Sequence, residues 1–418
     1  MSADVDVVIV GGGAAGVGAA RRLARSELST MLLEAHSRLG GRAWTRSVSG
    51  QALDLGCGWL HSAENNAWVR IAREAGIHID ETPAAWGIQY RGLGFSGEEQ
   101  AEARKALADW TQRLARSPPP GDRASDALIP NARWNNYIRT IVGFISGATP
   151  EQLSAADYVR YDESSTETNW RVTTGLGALV ARSIPPQVPV NLNTPVESIS
   201  LGSNGVTLTT RVGIVRARAV LLTVSTEVLA NGTIKLPGEL DAWRNAAARL
   251  PLGRDEKLFF EILGESPFEP ETQVIGNPRD PQTGAYYLRP LGRPIIEAFF
   301  GGDGARKVDR DGIDAAFAFA LDQLAGLFGS EIRGQLRPLA ASAWGRDNRI
   351  GGAYSYAVPG SVEARAELAR SFDQRIFFAG EATSRSDFST VHGAHDSGVR
   401  AADEVIEALA PLASGTKG

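Results

Sequence analysis

A glycine-rich turn between a buried strand and a helix constrains the fold of this chain more than any other feature. The run Asp6–Val10 is almost entirely apolar and leads into Gly11–Gly16, which matches the pattern GxGxxG. In that pattern the glycines permit a tight turn, the approach of a pyrophosphate to the backbone, and close packing of helix on strand. A helix is predicted from Ala14 to Ala24 and a second strand at Met31–Leu33. The sequence therefore predicts a βαβ unit of a parallel sheet that binds a dinucleotide.

Further elements are predicted along the chain from their apolar patterns. They are a β-hairpin or meander over Gly205–Gly213 and the residues after it, a buried strand over Ala219–Val224, a helix over Asp309–Leu327 and a helix from about Ala394 to Leu409.

An acidic residue stands at the end of the second predicted strand. Glu34 lies 23 positions after Gly11, where a carboxylate can accept hydrogen bonds from a ribose and disfavours a 2′-phosphate. A glycine-rich turn without a ligand is the alternative interpretation. The strand, helix and acid in this order favour dinucleotide binding, but they do not distinguish NAD from FAD.

Composition excludes several classes of protein. The 43 Lys+Arg and 48 Asp+Glu give a formal net charge of −5 without a block of like charges, so a nucleic-acid partner is not expected. Cys57 is the only cysteine, which excludes an intramolecular disulfide and a cysteine-based zinc site, and the histidines form no metal constellation. No apolar run approaches the ~20 residues of a membrane-spanning helix, and no basic region precedes the first apolar stretch. We expect a cytoplasmic monomer or homodimer that binds no membrane and no metal.

Further segments follow the glycine motif in a consistent order. They are Arg38–Arg42 (RLGGR), Leu53–His61 (LDLGCGWLH), Trp344, Gly352–Tyr356 (GAYSY), Phe378–Thr383 (FAGEAT) and Thr390–Ala394 (TVHGA). Together they resemble the flavin-containing amine oxidase family, which includes monoamine oxidases, polyamine oxidases and lysine-specific histone demethylases. The resemblance is strongest at residues 5–61 and 344–402 and weak between about 85 and 165.

The resemblance implies an α/β fold with two domains. A discontinuous, Rossmann-like FAD-binding domain would comprise residues 1–76, 186–236 and 345–418. A substrate domain of α+β type, with an antiparallel sheet plus helices, would comprise residues 77–185 and 237–344.

The same resemblance implies which residues contact FAD. The glycines of the turn would line the pyrophosphate, Glu34 the adenosine ribose and Arg42 a phosphate. The Val196 backbone would reach the adenine and the Val391 backbone the isoalloxazine. The complete predicted set is Gly11, Gly13, Ala15, Gly16, Glu34, Ala35, Gly41, Arg42, Gly58, Trp59, Val196, Trp344, Gly380, Glu381, Thr390, Val391 and Ala394.

Lys257 is the first candidate catalytic residue. It is one of only five lysines and leads the apolar run Leu258–Ile262, where an amine is costly to desolvate without a partner. The resemblance implies that this lysine holds a water beside flavin N5. The alternative is an edge-strand lysine with its amine in solvent.

Three positions decide the expected substrate cage and the attachment of the flavin. Ala353 stands where monoamine oxidases carry a cysteine linked to FAD, so the resemblance implies non-covalent FAD. Tyr354 matches one wall of an aromatic cage that presents π-faces to an amine, with a core aromatic as the alternative. Thr390 falls at the opposite wall, where monoamine oxidases have tyrosine, so a small monoamine is a weaker candidate substrate.

His61 follows Trp59 in an order that resembles several polyamine oxidases. A histidine there can exchange protons with an amine near neutral pH, and the alternative is a histidine bonded to a backbone group. Asp162, Glu163 and Glu167 are candidate acidic anchors for a second amine.

The sequence therefore predicts an FAD-dependent amine oxidase. Hydride would pass from the amine α-carbon to flavin N5, the imine would hydrolyse to an aldehyde, and O2 would be reduced to H2O2. We expect a polyamine or another secondary or primary amine as substrate. An L-amino-acid oxidase, with Arg160, Arg171 or Arg289 binding the carboxylate, is an alternative. A flavin-dependent desaturase or isomerase and a non-catalytic flavoprotein are two others.

Overall fold

The computed structural model describes residues 3–203 and 205–410, and the chain divides into two compact units. Unit 1 comprises residues 1–43, 178–248 and 363–418, and unit 2 comprises residues 44–177 and 249–362. Residues 44–76, which the predicted FAD-binding domain includes, group with unit 2. This division rests on contacts alone, so the predicted boundaries of the functional domains stay a prediction.

Strands and helices are numbered in chain order. The strands are Val5–Val10 (β1), Thr30–Leu33 (β2), Thr45–Val48 (β3), Gln51–Asp54 (β4), Ile79–Asp80 (β5), Arg171–Val172 (β6), Val190–Asn191 (β7), Val196–Leu201 (β8), Val206–Thr210 (β9), Gly213–Leu222 (β10), Asp255–Ile262 (β11), Thr272–Ile275 (β12), Ala285–Leu288 (β13), Ile295–Gly301 (β14), Leu336–Ala341 (β15) and Ile376–Phe378 (β16). The α-helices are Ala14–Leu23 (α1), Ala67–Glu74 (α2), Gly97–Arg116 (α3), Asn135–Ser146 (α4), Ala155–Ser164 (α5), Leu176–Arg182 (α6), Thr226–Ala230 (α7), Asp241–Ala248 (α8), Asp303–Asp311 (α9), Ile313–Phe328 (α10), Ile332–Gln335 (α11), Ala364–Ala369 (α12) and Val391–Leu409 (α13). Within residues 3–203 and 205–410, none of these helices combines the length and apolarity needed to cross a membrane.

Unit 1 is built on a seven-stranded mixed sheet. Its order is β7-β2-β1-β10-β9-β8, and β16 also pairs with β10. The central strand β1 runs parallel to β2 and β10, and Val7, Val8 and Ile9 are fully buried. The predicted βαβ unit is therefore present, with a strand that is covered on both faces as its apolar run requires.

Close packing of α1 against α13 depends on two glycines. A Cβ on Gly18 would collide with the backbone oxygen of His395, and a Cβ on Gly398 would collide with that of Ala15. The absence of side chains at these two positions lets the helix backbones approach. The last helix of unit 1 is thereby held against the helix that follows the glycine turn.

The long strand β10 corrects one reading of the sequence. The predicted hairpin after Gly205 is present as β9 and β10, which pair antiparallel. The apolar run 219–224 is predicted as a separate strand, but its residues 219–222 are the carboxyl end of the same β10, which pairs in parallel with β1 and β16. One strand changes partners along its length, and its polar beginning and apolar end reflect that change of environment.

Unit 2 contains a five-stranded antiparallel sheet. Its order is β12-β13-β14-β11-β15, and Leu258, Phe260 and Phe300 belong to the apolar core that packs beneath α10. The helix predicted from residue 309 is wrong at its start. Gly312, with a φ of +95°, separates α9 from α10, because that backbone conformation is one that a continuous helix does not contain. The antiparallel sheet predicted for the substrate domain is confirmed.

Candidate active site

The glycine turn of unit 1 leaves space for a ligand at its second glycine. Gly11 has a φ of +109°, and a Cβ there would lie 2.6 Å from Thr223 Oγ1. A Cβ on Gly16 would collide with the carbonyl oxygen of Gly11, so packing requires glycine at both positions. A Cβ on Gly13 would come no closer than 3.9 Å to any described residue beyond its chain neighbours. Packing therefore does not explain glycine at position 13, whereas the approach of a pyrophosphate does.

Helix α1 begins directly at this turn. Gly13 precedes its first residue, and no side chain caps the helix, so its first N–H groups are available to a phosphate. Ala15 is buried in the first turn. The geometry fits the predicted role of the turn as a pyrophosphate cradle.

Glu34 is a buried, ionised acid at the carboxyl end of β2. Its Oε2 accepts a hydrogen bond from Gly12 N at 2.6 Å, and its Oε1 accepts one from His36 N at 2.7 Å. Burial by itself raises the pKa of this carboxyl, but the hydrogen bonds from His36 and Gly12 outweigh burial and the net pKa is lowered. Glu34, followed by Ala35, therefore presents the carboxylate that a ribose hydroxyl needs.

Arg42 and Glu381 form an ion pair in unit 1. The Arg42 guanidinium lies 2.9 Å from Glu381 Oε1, and Ser389 N donates to Glu381 Oε2 at 3.0 Å. Arg42, Ser225, Gly380 and Glu381 line one recess. The buried carboxylate thus orients a forked cation, which suits contact with a diphosphate.

Thr390 caps the helix that ends unit 1. Its Oγ1 donates to Asp387 O at 2.6 Å and accepts a hydrogen bond from Gly393 N at 3.0 Å. Helix α13 therefore begins at Val391, three residues before the predicted start at Ala394, because the Thr390 hydroxyl supplies the cap. The predicted place of Thr390 in an amine cage stays a prediction.

The predicted FAD contacts are divided between the two units. Gly58, Trp59 and Trp344 lie in unit 2 and the others in unit 1. Val196 is the buried first residue of β8, and Gly41 has a φ of +57°. Trp344 is buried, and its Nε1 donates to Leu55 O at 3.1 Å.

Lys257 lies on an interior strand of unit 2 with a polar environment for its amine. Strand β11 is paired on both sides, with β14 and β15, so the edge-strand alternative is wrong. Nζ lies 2.7 Å from Glu297 Oε1 and donates to the carbonyl oxygen of Asp54 at 3.2 Å. A Cβ on Gly58 would lie 3.3 Å from Nζ, so glycine at that position leaves room for the amine.

Tyr354 is anchored through its hydroxyl. Its Oη donates to the carbonyl oxygen of Phe144 at 2.6 Å, and burial raises the pKa of the phenol. Asp255 lies beside it with neither carboxyl oxygen hydrogen-bonded within the described chain. Burial raises the pKa of Asp255 well above its usual value, and the nearby Tyr354 hydroxyl offsets this only in part. Burial therefore favours the protonated form of Asp255, which lies next to a fixed tyrosine.

Glu256 is buried on the opposite face of β11. Its carboxyl accepts hydrogen bonds from Ser342 Oγ and from Gly345 N, the latter at 3.2 Å. Burial raises its pKa to about 7, although the hydrogen bonds from Ser342 and Gly345 act in the opposite direction. This side chain therefore changes charge near neutral pH.

Hydrogen bonds through Asn169 determine the tautomer of His61. Asn169 Nδ2 donates to the carbonyl oxygen of Glu167 at 3.0 Å, which leaves Asn169 Oδ1 to accept from His61 Nδ1 at 2.7 Å. Nδ1 then carries the proton in the neutral ring, and Nε2 carries the lone pair. The rings of His61 and Trp86 lie 5.7 Å apart, and Trp86 is 4.5 Å from Trp59.

Arg171 is already neutralised by two carboxylates. Its Nη2 lies 2.5 Å from Asp80 and 2.7 Å from Glu271, and its guanidinium stacks over the rings of Trp59 and Tyr287. Arg289 donates instead to two backbone carbonyls, those of Phe268 and Gly292. These contacts give both arginines structural partners.

The remaining candidates lie on or after α5. Arg160 is half-buried within the helix, while Asp162, Glu163 and Glu167 are at least partly exposed. Partial burial and the nearby Glu163 raise the pKa of Asp162. Across the described residues, no three His, Cys, Asp or Glu side chains form a group that could hold a metal.

Sequence reasoning missed several polar residues of unit 2. They are Trp86, Asn169, Asp255, Glu256 and Glu297. A charged residue within an apolar strand was the available signal for Glu297, which stands in the run Ile295–Gly301. Asn169 lies in a segment whose resemblance to the family is weaker, and only the fold brings it to His61.

Comparison with known proteins decides the family. The family model described as flavin containing amine oxidoreductase matches residues 90–406, which is more than half of the chain. This chain belongs to the flavin containing amine oxidoreductase family. A model of an NAD(P)-binding Rossmann-like domain matches residues 9–75.

Relatives extend along nearly the whole chain of this oxidoreductase. It is 26% identical to polyamine oxidase 2 of Arabidopsis thaliana, covering 95% of this chain and 87% of the relative. It is 27% identical to polyamine oxidase 4 of Oryza sativa subsp. japonica, with 95% and 88% covered. It is 25% identical to lysine-specific histone demethylase 1 homolog 2 of the same rice, covering 96% of this chain but 57% of that protein.

A solved structure supports the fold. The structure of a putrescine oxidase with redesigned cofactor binding aligns with a TM-score of 0.75 at 20% identity, covering 96% of this chain and 99% of that one. The predicted family, fold class and FAD cofactor are confirmed. The enzyme is an oxidoreductase that acts on amines, and the roles of its individual site residues stay predictions.

Proposed function

We propose that this oxidoreductase oxidises polyamines or other secondary and primary amines, with release of an aldehyde and reduction of O2 to H2O2. The observation that carries the proposal is the His61–Asn169 hydrogen bond. It leaves the His61 Nε2 lone pair as the acceptor of the ring, which suits an ammonium group and does not suit a carboxylate. The aromatic faces of Trp59 and Trp86 beside it favour a cation as well.

The contacts of Arg171 weigh against an L-amino-acid oxidase that uses this residue to bind the substrate carboxylate. Such binding needs a guanidinium whose charge is not already balanced. Within the described chain Arg171 keeps Nη1 without a hydrogen-bond partner, but its charge is shared between Asp80 and Glu271. Arg289 donates to two backbone carbonyls and keeps Nε without a partner there, so it stays a candidate. Freeing Arg171 would leave two partly buried carboxylates without their cation, which is costly.

The names of the relatives support the same substrate class. Two relatives that match nearly end to end are polyamine oxidases. Histone demethylases are also relatives, but the chain spans only 57% of the one compared. A methylated lysine is itself a secondary or tertiary amine, so a demethylase is the second candidate function.

In the proposed reaction the cofactor accepts electrons and the protein handles the proton. FAD, when bound, supplies a two-electron acceptor for the hydride on the amine α-carbon. The C–H electron pair leaves the substrate and the nitrogen lone pair forms the imine, so only a neutral amine reacts. His61 Nε2 can accept the proton that the incoming ammonium must lose. Water then adds to the imine carbon and gives an aldehyde and a shorter amine, while O2 takes up two electrons and two protons.

Lys257 is proposed to act as a donor that serves the flavin reaction through a water, as the family resemblance implies. An ammonium has three N–H donors, and two are directed at Glu297 and at the Asp54 carbonyl. Tyr354, held by Phe144 O, is proposed to present a ring face to the amine.

A substrate panel tests the proposal. The purified holoenzyme is mixed with polyamines, diamines, monoamines, L-amino acids and a methylated lysine peptide. Bleaching of the flavin absorbance without oxygen and peroxide release in air are both recorded. We expect polyamines to reduce the flavin fastest. Preferential reduction by L-amino acids or by the methylated peptide would overturn the polyamine assignment, and bleaching without peroxide would overturn oxygen as the acceptor.

A further inference from the structure

The Lys257 amine is paired with a carboxylate from the neighbouring strand. Phe259 of β11 faces Glu297 of β14 in the antiparallel register. Lys257 lies two residues before Phe259 on the same face, so Glu297 is its diagonal neighbour across the pair of strands. The side chains meet with Nζ 2.7 Å from Oε1, and only 9% of the lysine side chain is exposed.

Glu297 is the countercharge of this buried amine. Within the described chain it is the carboxylate that lies within 4 Å of Nζ. The nearby Asp54 contributes its backbone carbonyl, while its carboxyl accepts from Thr45 Oγ1 at 2.5 Å and from Leu176 N and Gly177 N. A buried ammonium without a countercharge is strongly disfavoured, so the ion pair with Glu297 stabilises the Lys257 amine at this place.

A second cation interacts with the Glu297 carboxylate. The Arg293 guanidinium donates to Ala52 O at 2.5 Å and attracts the Glu297 charge. Glu297 therefore interacts with two cations of unit 2, Lys257 and Arg293. A carboxylate accepts the hydrogen bonds that an ammonium donates.

We propose that Glu297 is a positioning residue, whose carboxylate fixes the Lys257 amine as an ammonium at one place and so sets how effectively that lysine serves the flavin reaction. The inference rests on the proposed role of Lys257. It adds a residue to which neither the sequence motifs nor the family resemblance assigned a function. A buried glutamate in an otherwise apolar strand destabilises the fold unless its charge is paired with a cation or hydrogen-bonded.

A double-mutant cycle on the holoenzyme tests the coupling. Glu297→Gln and Lys257→Met are made singly and together, and rapid mixing measures flavin reduction by the best amine and reoxidation by O2. Lys257→Met should slow one half-reaction by about 100-fold, within the range of a positioned proton-transfer group. Glu297→Gln should slow the same half-reaction by about tenfold. In the Lys257→Met background the second substitution should add less than about twofold, because coupled residues are not additive.

Chemical labelling gives a readout that does not depend on turnover. Reductive methylation modifies neutral amines, and peptide mass spectrometry can follow Lys257 separately because the chain has five lysines. The exposed Lys235 is the internal reference. Loss of the carboxylate should raise the labelling rate of Lys257 relative to Lys235 by about tenfold, the lower end of a hydrogen bond to a charged group. Glu297→Asp keeps the charge and should label more slowly than Glu297→Gln.

A matched control separates this effect from general loss of a surface charge. Glu261→Gln removes a carboxylate of β11 that pairs with Arg337, and it should change neither readout. Additive rate effects of Glu297→Gln and Lys257→Met, or unchanged Lys257 labelling in both Glu297 variants, would overturn the inference. If Lys257→Met itself leaves both half-reactions unchanged, the proposed role of Lys257 fails instead, and labelling alone still decides whether Glu297 holds the amine.

Discussion

Glu256→Gln should stabilise the protein at neutral and alkaline pH, and this gain should disappear as the pH falls to about 5. Glu256 is fully buried on β11, and burial raises the pKa of its carboxyl to about 7 from an ordinary 4.5. The folded state therefore holds this proton more tightly than the unfolded state. Ionisation of Glu256 does not affect the free energy of unfolding below about pH 4.5. It lowers that free energy as the pH rises from about 4.5 to 7, and lowers it no further above about 7. Glutamine is neutral at every pH and removes this cost.

The size of the effect follows from the same values. The difference between 4.5 and about 7 corresponds to about 3 kcal/mol at 1.36 kcal/mol per pKa unit. A glutamine side chain at this position could accept from Gly345 N and approach Ser342, the two partners of the present carboxyl, at the loss of about one hydrogen bond, or ~1 kcal/mol. With an unfolding entropy of about 2 cal/mol/K per residue, 1 kcal/mol is about 1 °C in Tm for a chain of this length. At pH 5 part of the ionisation cost is already present and nearly offsets the lost hydrogen bond, so we expect the variant to melt within about 1 °C of wild type there and about 2 °C higher at pH 8.

Thermal unfolding of the holoenzyme between about pH 5 and 8.5 measures this difference. Subtracting wild type at each pH cancels the contributions of titrating groups that do not interact with Glu256; Asp255 and Asp309 do interact with it. Glu261→Gln is the control, because Glu261 pairs with Arg337 on the same strand and is not fully buried; its difference from wild type should not show the same rise. A Glu256→Gln difference that stays flat or falls with pH would refute the reasoning from burial.

Three further predictions concern cofactor and substrate. Acid or heat precipitation should release free FAD into the supernatant, since Ala353 offers no thiol for attachment; yellow colour in the pellet would contradict this. Lys257→Met should retain FAD by absorbance but slow one flavin half-reaction about 100-fold in stopped-flow traces. His61→Ala should lower kcat/KM for polyamines about ten- to hundredfold more than for a monoamine. Asn169→Ala should act in the same direction, because His61 Nδ1 loses the acceptor that fixes the tautomer of the ring. His395→Ala, a buried residue of α13, should change Tm and leave the ratio of the two specificity constants unaltered.

Local pattern was sufficient to predict unit 1 in some detail. The strand, glycine turn and helix at residues 5–23 depend on neighbouring residues, and the backbone at Gly11 and Gly16 tolerates no side chain. The start of α13 was misplaced because a threonine cap at position 390 was not considered. The break at Gly312 was hidden by apolar periodicity on both sides of it.

Polar contacts between distant segments could not be predicted in the same way. Asn169 meets His61 across 108 positions of the chain, and Arg171 meets both Asp80 and Glu271. No periodicity links such residues, because the contacts depend on how the antiparallel strands and their loops come together. The sequence therefore leaves Arg160, Arg171 and Arg289 as equal candidates for binding a carboxylate, and only the fold shows that Arg171 is paired with two carboxylates.

Strand β11 shows how one short segment accommodates three consecutive charged residues in a core. Asp255, Glu256 and Lys257 are all buried, and alternation sends Glu256 to the opposite face from its two neighbours. Asp255 has carboxyl oxygens without a hydrogen-bond partner within the described chain, and burial raises its pKa and so favours the protonated form. Glu256 is supported by donors from Ser342 and Gly345 but still titrates near neutrality. Lys257 has a countercharge in Glu297, and an ammonium that must remain charged in a buried place needs one. Substitutions at the three positions should therefore differ in kind: Asp255→Asn should have little effect on charge, Glu256→Gln should alter the pH dependence of stability, and only changes at Lys257 or Glu297 should alter the flavin half-reactions.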